Sequence, residues 1–438
     1  MYHGLGMDFL LRVPSSSPWW AGFALAALAA AVPAQDELAA QITRALDEAR
    51  PALLAHLAAA AEPTTRPGEL ALVVLAGVHD GVPSTDKVMA KAQKRLAAAK
   101  PDQTYDLALR LLVLEACADF PERIPLARQD AKALLQHRCS AGAFQYGARP
   151  SGWDLSNTQY GALGLRAAAA LGIDIDRNVW SKLAREIEAQ QEDYGGFGYT
   201  RSHGRSNKAT ASMTAAGIAV LAICRQALGD DSPQGQQLTK SIQQGWDWFA
   251  RNPATIGANT EHWSYYFHYG LERAAILCDV DTIGGGKLSW YEAGAKMLLA
   301  DQLPGGGWQS LRDGFPGQHL ASGRGNAVPT AFAVLFLRRK FSKLVVPISA
   351  KVATLATIGP LSKPADVEAC AAELVRRGKA AMPDVVKGLR SEIQPQRQAA
   401  AKALQQLAGD AFGYEAARDA EANRDAIRRA ELWFLRQR

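Results

Sequence analysis

Cysteine is scarce: five residues in 438 (Cys117, Cys139, Cys224, Cys278 and Cys370), widely scattered. That excludes a disulfide framework. Cys117, Cys224 and Cys278 fall late in apolar segments, where a small buried hydrophobe is the simplest reading; one pair, such as Cys224 with Cys278, could be oxidised after export. No CxxC or Cys/His spacing points to a metal, and no motif asks for a cofactor. The chain also lacks Val/Ile/Thr runs, which argues against sheet, while its abundant alanine favours helix. No dense Lys/Arg block with interleaved aromatics occurs, and a net charge of +6 is small for this length. Nucleic-acid binding is therefore not expected.

What is present begins at the N-terminus. Arg12 precedes an apolar run from Trp19 to Val32, and Val32-Pro33-Ala34 places small residues at −3 and −1 of a cut before Gln35. This is the layout of a secretory signal peptide over 1–34, so the protein is expected to be exported, periplasmic or secreted. A retained anchor is the alternative. No membrane span beyond this segment is expected.

From residue 35, twelve helical segments are predicted, roughly 36–60, 68–79, 84–99, 104–118, 122–138, 155–171, 176–191, 207–228, 237–250, 264–278, 287–302 and 326–340. They alternate in character. Odd segments are charged and amphipathic, such as Lys182 to Gln190, while even segments are apolar nearly all round, such as Tyr160 to Leu171. A helix apolar on every side must be buried, and one with a single stripe lies outside it. Six hairpins of outer and inner helices predict an all-α fold, an α/α toroid over 35–344. Beyond it, 345–438 carries short amphipathic helices that look HEAT-like.

Three Gly-aromatic elements punctuate the toroid: Gly142-Ala143-Phe144, Gly195-Gly196-Phe197 and Gly306-Gly307-Trp308. The aromatics are spaced 53 and 111 residues apart, about one and two repeat units. With Gln302, Gly306 and Trp308 the chain matches the Gln-x-x-x-Gly-x-Trp (QW) motif. Gln191, Gly195 and Phe197 match it with Phe for Trp, and Arg138, Gly142 and Phe144 form a worn copy. On these residues the chain resembles the terpenoid-cyclase and protein-prenyltransferase superfamily, specifically its squalene-cyclase-like repeats, over roughly 65–340. The resemblance implies the toroid and a structural role for the motif.

It implies less about chemistry. The squalene-type cyclases draw their acid from Asp-x-Asp-Asp, and the nearest match, Asp279-Val280-Asp281-Thr282, is one carboxylate short and follows an inner helix. The zinc set of the prenyltransferases and the Cys-Gly-Glu-Gln thioester of complement-like toroids have no counterpart. What remains is the end where long Gly-rich loops gather, around inner-helix starts. Tyr265, His268 or Tyr269, and Glu272 share a helix face; were it turned inward, Tyr265, His268 and Glu272 would be catalytic candidates. Turned toward a neighbouring hairpin, they are packing residues. Candidate ligand-binding residues are Trp153, Asp154, Arg201, His203, Arg205, His262, Tyr265, Tyr269, Arg312, His319 and Arg324. This Arg/His rim suits an anionic ligand such as an acidic glycan, a diphosphate or an acidic peptide, and the extension suits a protein partner. The leading expectation is a binding or scaffolding module. The alternative is an enzyme using the toroid cavity, terpenoid-cyclase- or prenyltransferase-like, or a lyase or hydrolase on an acidic polysaccharide.

Overall fold

The computed structural model describes residues 34–202, 205–206, 208–259, 263–310, 324–339, 358, 362, 364–376 and 378–435. The expected signal segment and the boundary at 344 fall outside these residues.

Twelve helices build the first unit: α1 (Ala34–Ala60), α2 (Pro67–Asp80), α3 (Lys87–Ala98), α4 (Thr104–Ala116), α5 (Arg123–Leu135), α6 (Leu155–Ala170), α7 (Arg177–Gln190), α8 (Ala211–Leu228), α9 (Pro233–Arg251), α10 (Ser264–Cys278), α11 (Trp290–Asp301) and α12 (Ala327–Arg338). Short polar residues start many of them. Asp86 accepts from the Val88 and Met89 N–H groups, Ser232 accepts from Gly235 ahead of Pro233, and Thr210 accepts from Met213. Each such cap is worth about 1 kcal/mol. At the other end, Gly81 stops α2 in the left-handed conformation at φ 82°.

The even helices form the inner layer. α2 packs on α4, α4 on α6, α6 on α8, α8 on α10, α10 on α12, and α12 returns to α2. This return is the decisive observation, because an open superhelix would leave α2 and α12 apart. The fold is a closed α/α toroid. Outer α1 lies against both α12 and α2 and touches α3 and α11, so the outer layer closes there too. Burial follows the sequence alternation: 15 of the 16 residues of inner α6 are buried, against six of 14 in outer α7. Asp80, at the C-terminus of α2, bonds Arg338 of α12 at 2.5 Å and Arg50 of α1 at 2.9 Å. These pairs hold the seam at the end opposite the long loops. By length and hydropathy α8 could cross a bilayer, which the expectation of no span beyond the leader overlooked; 83% of it is buried inside the ring.

The Gly-aromatic elements are the joints. Gly142, Gly195 and Gly306 all have positive φ (101°, 88° and 83°). A Cβ on Gly195 would sit 2.2 Å from the Gln244 carbonyl of α9, and one on Gly306 would sit 1.9 Å from the Glu48 carbonyl of α1. Each turn thus lets the next outer helix lie against bare backbone. Gln191 Nε2 donates to Gly195 O (2.9 Å) and Ser241 O on α9 (2.8 Å), and Gln302 Nε2 donates to Gly306 O and Ala45 O on α1 (both 2.8 Å). The aromatics Phe144, Phe197 and Trp308 are fully buried. Their N–H groups donate to a threonine of the following inner helix: Thr158, Thr214 and Thr330, at 3.0, 3.1 and 3.0 Å.

The second unit holds α13 (Pro364–Arg376), α14 (Met382–Leu389), α15 (Gln394–Ala408) and α16 (Arg424–Leu435). Its core, including Cys370, Leu374, Met382, Leu389, Leu404 and Ile427, shares no residue with that of the toroid. All five cysteines are free thiols in this structure, Cys224 and Cys278 among them.

Candidate functional site

The outer-to-inner loops emerge together at the N-termini of the inner helices, and two of their carbonyls cap those helices. Tyr146 O accepts from Thr104 N at 2.8 Å, and Tyr199 O accepts from Leu155 N at 2.9 Å, satisfying first-turn donors of α4 and α6. These bonds fix two tyrosines at the mouth. Among the described residues, the exposed aromatics are Tyr146, Tyr194, Tyr199 and Trp263, all on these loops; the other exposed large hydrophobic side chains, Ile124 and Leu432, are aliphatic. Trp263 precedes α10 in the left-handed region at φ 70°, a strained position for a bulky residue.

From this rim a column of tyrosines runs down the axis. Tyr146 stacks over Tyr105 of α4 (ring centroids 6.3 Å apart), and Tyr105 lies 4.3 Å from Tyr160 of α6. Tyr160 stacks on Tyr266 of α10 at 6.1 Å, and Tyr269, one turn deeper, meets Phe332 of α12 at 5.0 Å. The Tyr146 and Tyr199 hydroxyls are 3.4 Å apart, and Tyr266 donates to Gln159 Oε1 at 2.9 Å. Because α6 and α10 are separated by α8 in the ring, contacts between Gln159 or Tyr160 and Tyr266 must reach through the interior of the ring. There the interior is packed with phenol rings. Burial raises the Tyr105, Tyr160 and Tyr266 phenols well above their usual range, so they are neutral donors at physiological pH.

Below the tyrosines lies a buried charged layer. Arg273 pairs with Glu272 at 2.6 Å and its guanidinium sits 4.4 Å over the Tyr269 ring, while Arg166 of α6 pairs with Glu115 at 3.1 Å. Burial pushes the Glu272 carboxyl up to about 7 against the pull of Arg273.

The predicted residues divide accordingly. Tyr269 and Glu272 come together beside Arg273, and Tyr265 is buried. His268 does not join them. Its Nδ1 faces Ser264 O at 2.8 Å, its Nε2 accepts from Gly257 N–H at 3.2 Å, and its ring packs on Phe336. Burial holds its pKa down at about 4. It is a neutral packing residue turned toward α11 and α12, so the trio of Tyr265, His268 and Glu272 does not converge. Trp153 donates to Glu186 of outer α7 at 2.9 Å, and Asp154 is consumed as the α6 cap, accepting from Asn157 N and Nδ2 and from Ser156. Arg324 is exposed just before α12. The backbones of Arg201 and Arg205 lie in β1 (Arg201–Ser202) and β2 (Arg205–Ser206), a small antiparallel hairpin in the 191–210 loop. His203, His262, Arg312 and His319 lie outside the described residues. Asp279 caps α10 at φ 60° and Asp281 pairs with Arg339 at 2.7 Å, both at the end away from the mouth.

Tyr105, Tyr160, Tyr146 and Tyr199 were not singled out from sequence. A tyrosine in the first two turns of α4, α6 and α10 was the available signal, masked by the apolar character of those helices.

No family model and no curated protein matches the sequence. Among solved structures, the chain is similar to type II terpene cyclase MstE from Scytonema in its apo form: 16% identity, TM-score 0.43, covering 69% of this chain and 98% of that one. A variant of the same cyclase in complex with geranylgeranyl dihydroxybenzoate, its substrate, gives 16% identity, TM-score 0.42, and coverage of 72% and 99%. The likeness is one of fold.

Proposed function

We propose that this chain is an exported binding module that takes an acidic glycan at the mouth of its toroid. The observation that carries this reading is the placement of every described exposed aromatic on the mouth loops, leading into a column of tyrosines. Tyrosine pairs a flat apolar ring with a hydroxyl, which matches the CH faces and hydroxyls of a sugar. The packed axis favours a ligand held at the rim over one enclosed in a deep apolar cavity. The acidic character follows from Arg201 and Arg205, which follow Tyr194 and Tyr199 in the sequence, and from Arg312 and Arg324 in the stretch between α11 and α12; export follows from the apolar run Trp19–Val32.

Isothermal titration of acidic and neutral oligosaccharides tests it. Acidic chains are expected to bind better and to weaken with added salt. Alanine at Tyr146, Tyr199 or Trp263 should weaken binding about tenfold each, corresponding to about 1.4 kcal/mol. A triple variant that binds as tightly as wild type would remove the mouth from consideration.

A further inference from the structure

The loop between α9 and α10 carries no Gly-aromatic element, yet it holds a glycine in the same role. Gly257 has a φ of +73°, and a Cβ on it would lie 2.9 Å from Ala293 O of α11. The series of close approaches is thereby complete: Gly142 meets α7, Gly195 meets α9, Gly257 meets α11 and Gly306 meets α1. What differs is the bond into the inner helix. In the other three joints a loop N–H donates to a threonine hydroxyl, at the fourth residue of α6, α8 or α12. Here Gly257 N–H donates to His268 Nε2 at 3.2 Å, at the fifth residue of α10. Ser264 O, 2.8 Å from Nδ1, can only accept, so the ring proton sits on Nδ1 and Nε2 keeps its lone pair. A hydroxyl has a lone pair at every pH, whereas an imidazole Nε2 loses its own on protonation.

We propose that His268 is an acid-released latch at the mouth: protonation at Nε2 sets donor against donor at this fourth joint and frees the 252–259 loop, while the ring stays shut. The His268 ring is enclosed by Phe336 of α12 at 5.9 Å, Phe267 at 4.9 Å and Gly294 of α11, whose added Cβ would lie 3.1 Å from Cδ2. Among the described residues, charged groups of these elements are engaged elsewhere: Glu272 with Arg273 on α10, Glu292 with Lys296 on α11, and Arg338 of α12 with Asp80. The competing acid is Asp301 of α11, which accepts from Asn259 of the same loop at 2.5 Å and whose carboxyl burial raises. A protonated carboxyl still has an oxygen to accept that bond, so its titration need not free the loop. Burial holds the latched imidazole down at about 4, against an ordinary 6.5. Above 6.5 the latched and released forms are both neutral; between 6.5 and 4 only the released form takes the proton. Release therefore grows about tenfold for each pH unit from 6.5 down to 4. The same loop leads to Trp263, which places the latch beside the exposed aromatics of the rim. This holds whatever the mouth binds.

Hydrogen exchange of the full chain, followed by mass spectrometry from about pH 7.5 to about pH 4.5 with each rate divided by the intrinsic rate at that pH, tests it. The peptide containing Gly257 is expected to lose protection about tenfold per unit below pH 6.5. The peptide containing Phe197, held by Thr214, should keep its protection and serves as the control joint within the same molecule. Peptides of inner α8 should also stay protected, which shows the ring shut. His268→Gln offers an amide oxygen near the Nε2 position and does not titrate, so it should flatten the Gly257 response. Asp301→Asn does not titrate either and should leave the response intact. If His268→Gln fails to fold, the contrast between the two joints in wild type still decides. A flat Gly257 response, equal loss at both joints or loss that spreads to α8 overturns the latch. So does a slope kept by His268→Gln or abolished by Asp301→Asn.

Discussion

Replacing Gly306 with alanine should open the seam of the ring. Two effects add at this residue. Its φ of +83° disfavours any Cβ, by about 1–2 kcal/mol. The new Cβ would also lie 1.9 Å from Glu48 O and 3.2 Å from Ala49 Cα, backbone atoms of α1 that cannot rotate away. Forcing α1 outward adds about 1–3 kcal/mol of overpacking and strains the Gln302–Ala45 bond made at the same joint. The total is about 2–5 kcal/mol. For a cooperative unit of about 300 residues, with an unfolding entropy near 2.1 cal/mol/K per residue, that lowers Tm by roughly 3–8 °C. Gly285→Ala is the control. Gly285 also has positive φ (+70°) but nothing within 4 Å of its would-be Cβ, so it registers the backbone term alone. Circular dichroism melts of both variants decide the matter. If Gly306→Ala melts within about 1 °C of Gly285→Ala, close approach to α1 does not hold the ring shut, and the account of the joints is wrong.

Two further outcomes follow from single contacts. Thr214→Val keeps the shape of the side chain but strands the buried Phe197 N–H, so urea unfolding should show a loss of about 1–3 kcal/mol; a loss below about 0.5 kcal/mol would mean the threonine is incidental to the joint. Glu272 is raised from 4.5 to about 7 in the folded state, so the fold binds its proton more tightly than the unfolded chain does. Its stabilisation is complete below pH 4.5 and lost as pH rises through 7. Relative to wild type, Glu272→Gln should therefore gain about 2–3 kcal/mol between pH 4.5 and pH 8, as measured by urea titration. The wild-type curve alone is less telling, because Asp106, raised to about 6, acts in the same direction and His268, lowered to about 4, in the opposite one. A difference that does not change with pH would contradict the burial argument.

Much of the architecture was legible because it is local. Segment α10 is predicted and observed over the same residues, 264–278, and α6 differs from its prediction by one residue. Capping residues and 3.6-residue periodicity act within a turn or two, so they can be read along the chain. The alternation of charged and apolar segments likewise separates the outer helices from the inner ones. The β1–β2 hairpin within the long 191–210 loop carries no comparable signal, since each strand is only two residues long.

Sequence by itself thus determined the helices, their layer and the spacing of the joints. Tertiary structure alone decided which inner side chains meet. His268 and Tyr269 are adjacent in the chain, yet one turns to Phe336 beside α11 and the other lies beneath Arg273 in the axial cluster. A rotation of about 100° per residue separates them, and only the packing of α10 between α8 and α12 fixes which of the two faces inward. The bond between Tyr266 and Gln159 joins residues 107 apart. That separation is about two repeat units, so periodicity places both residues near the starts of inner helices; that they touch follows only because the ring closes and brings non-adjacent walls within reach.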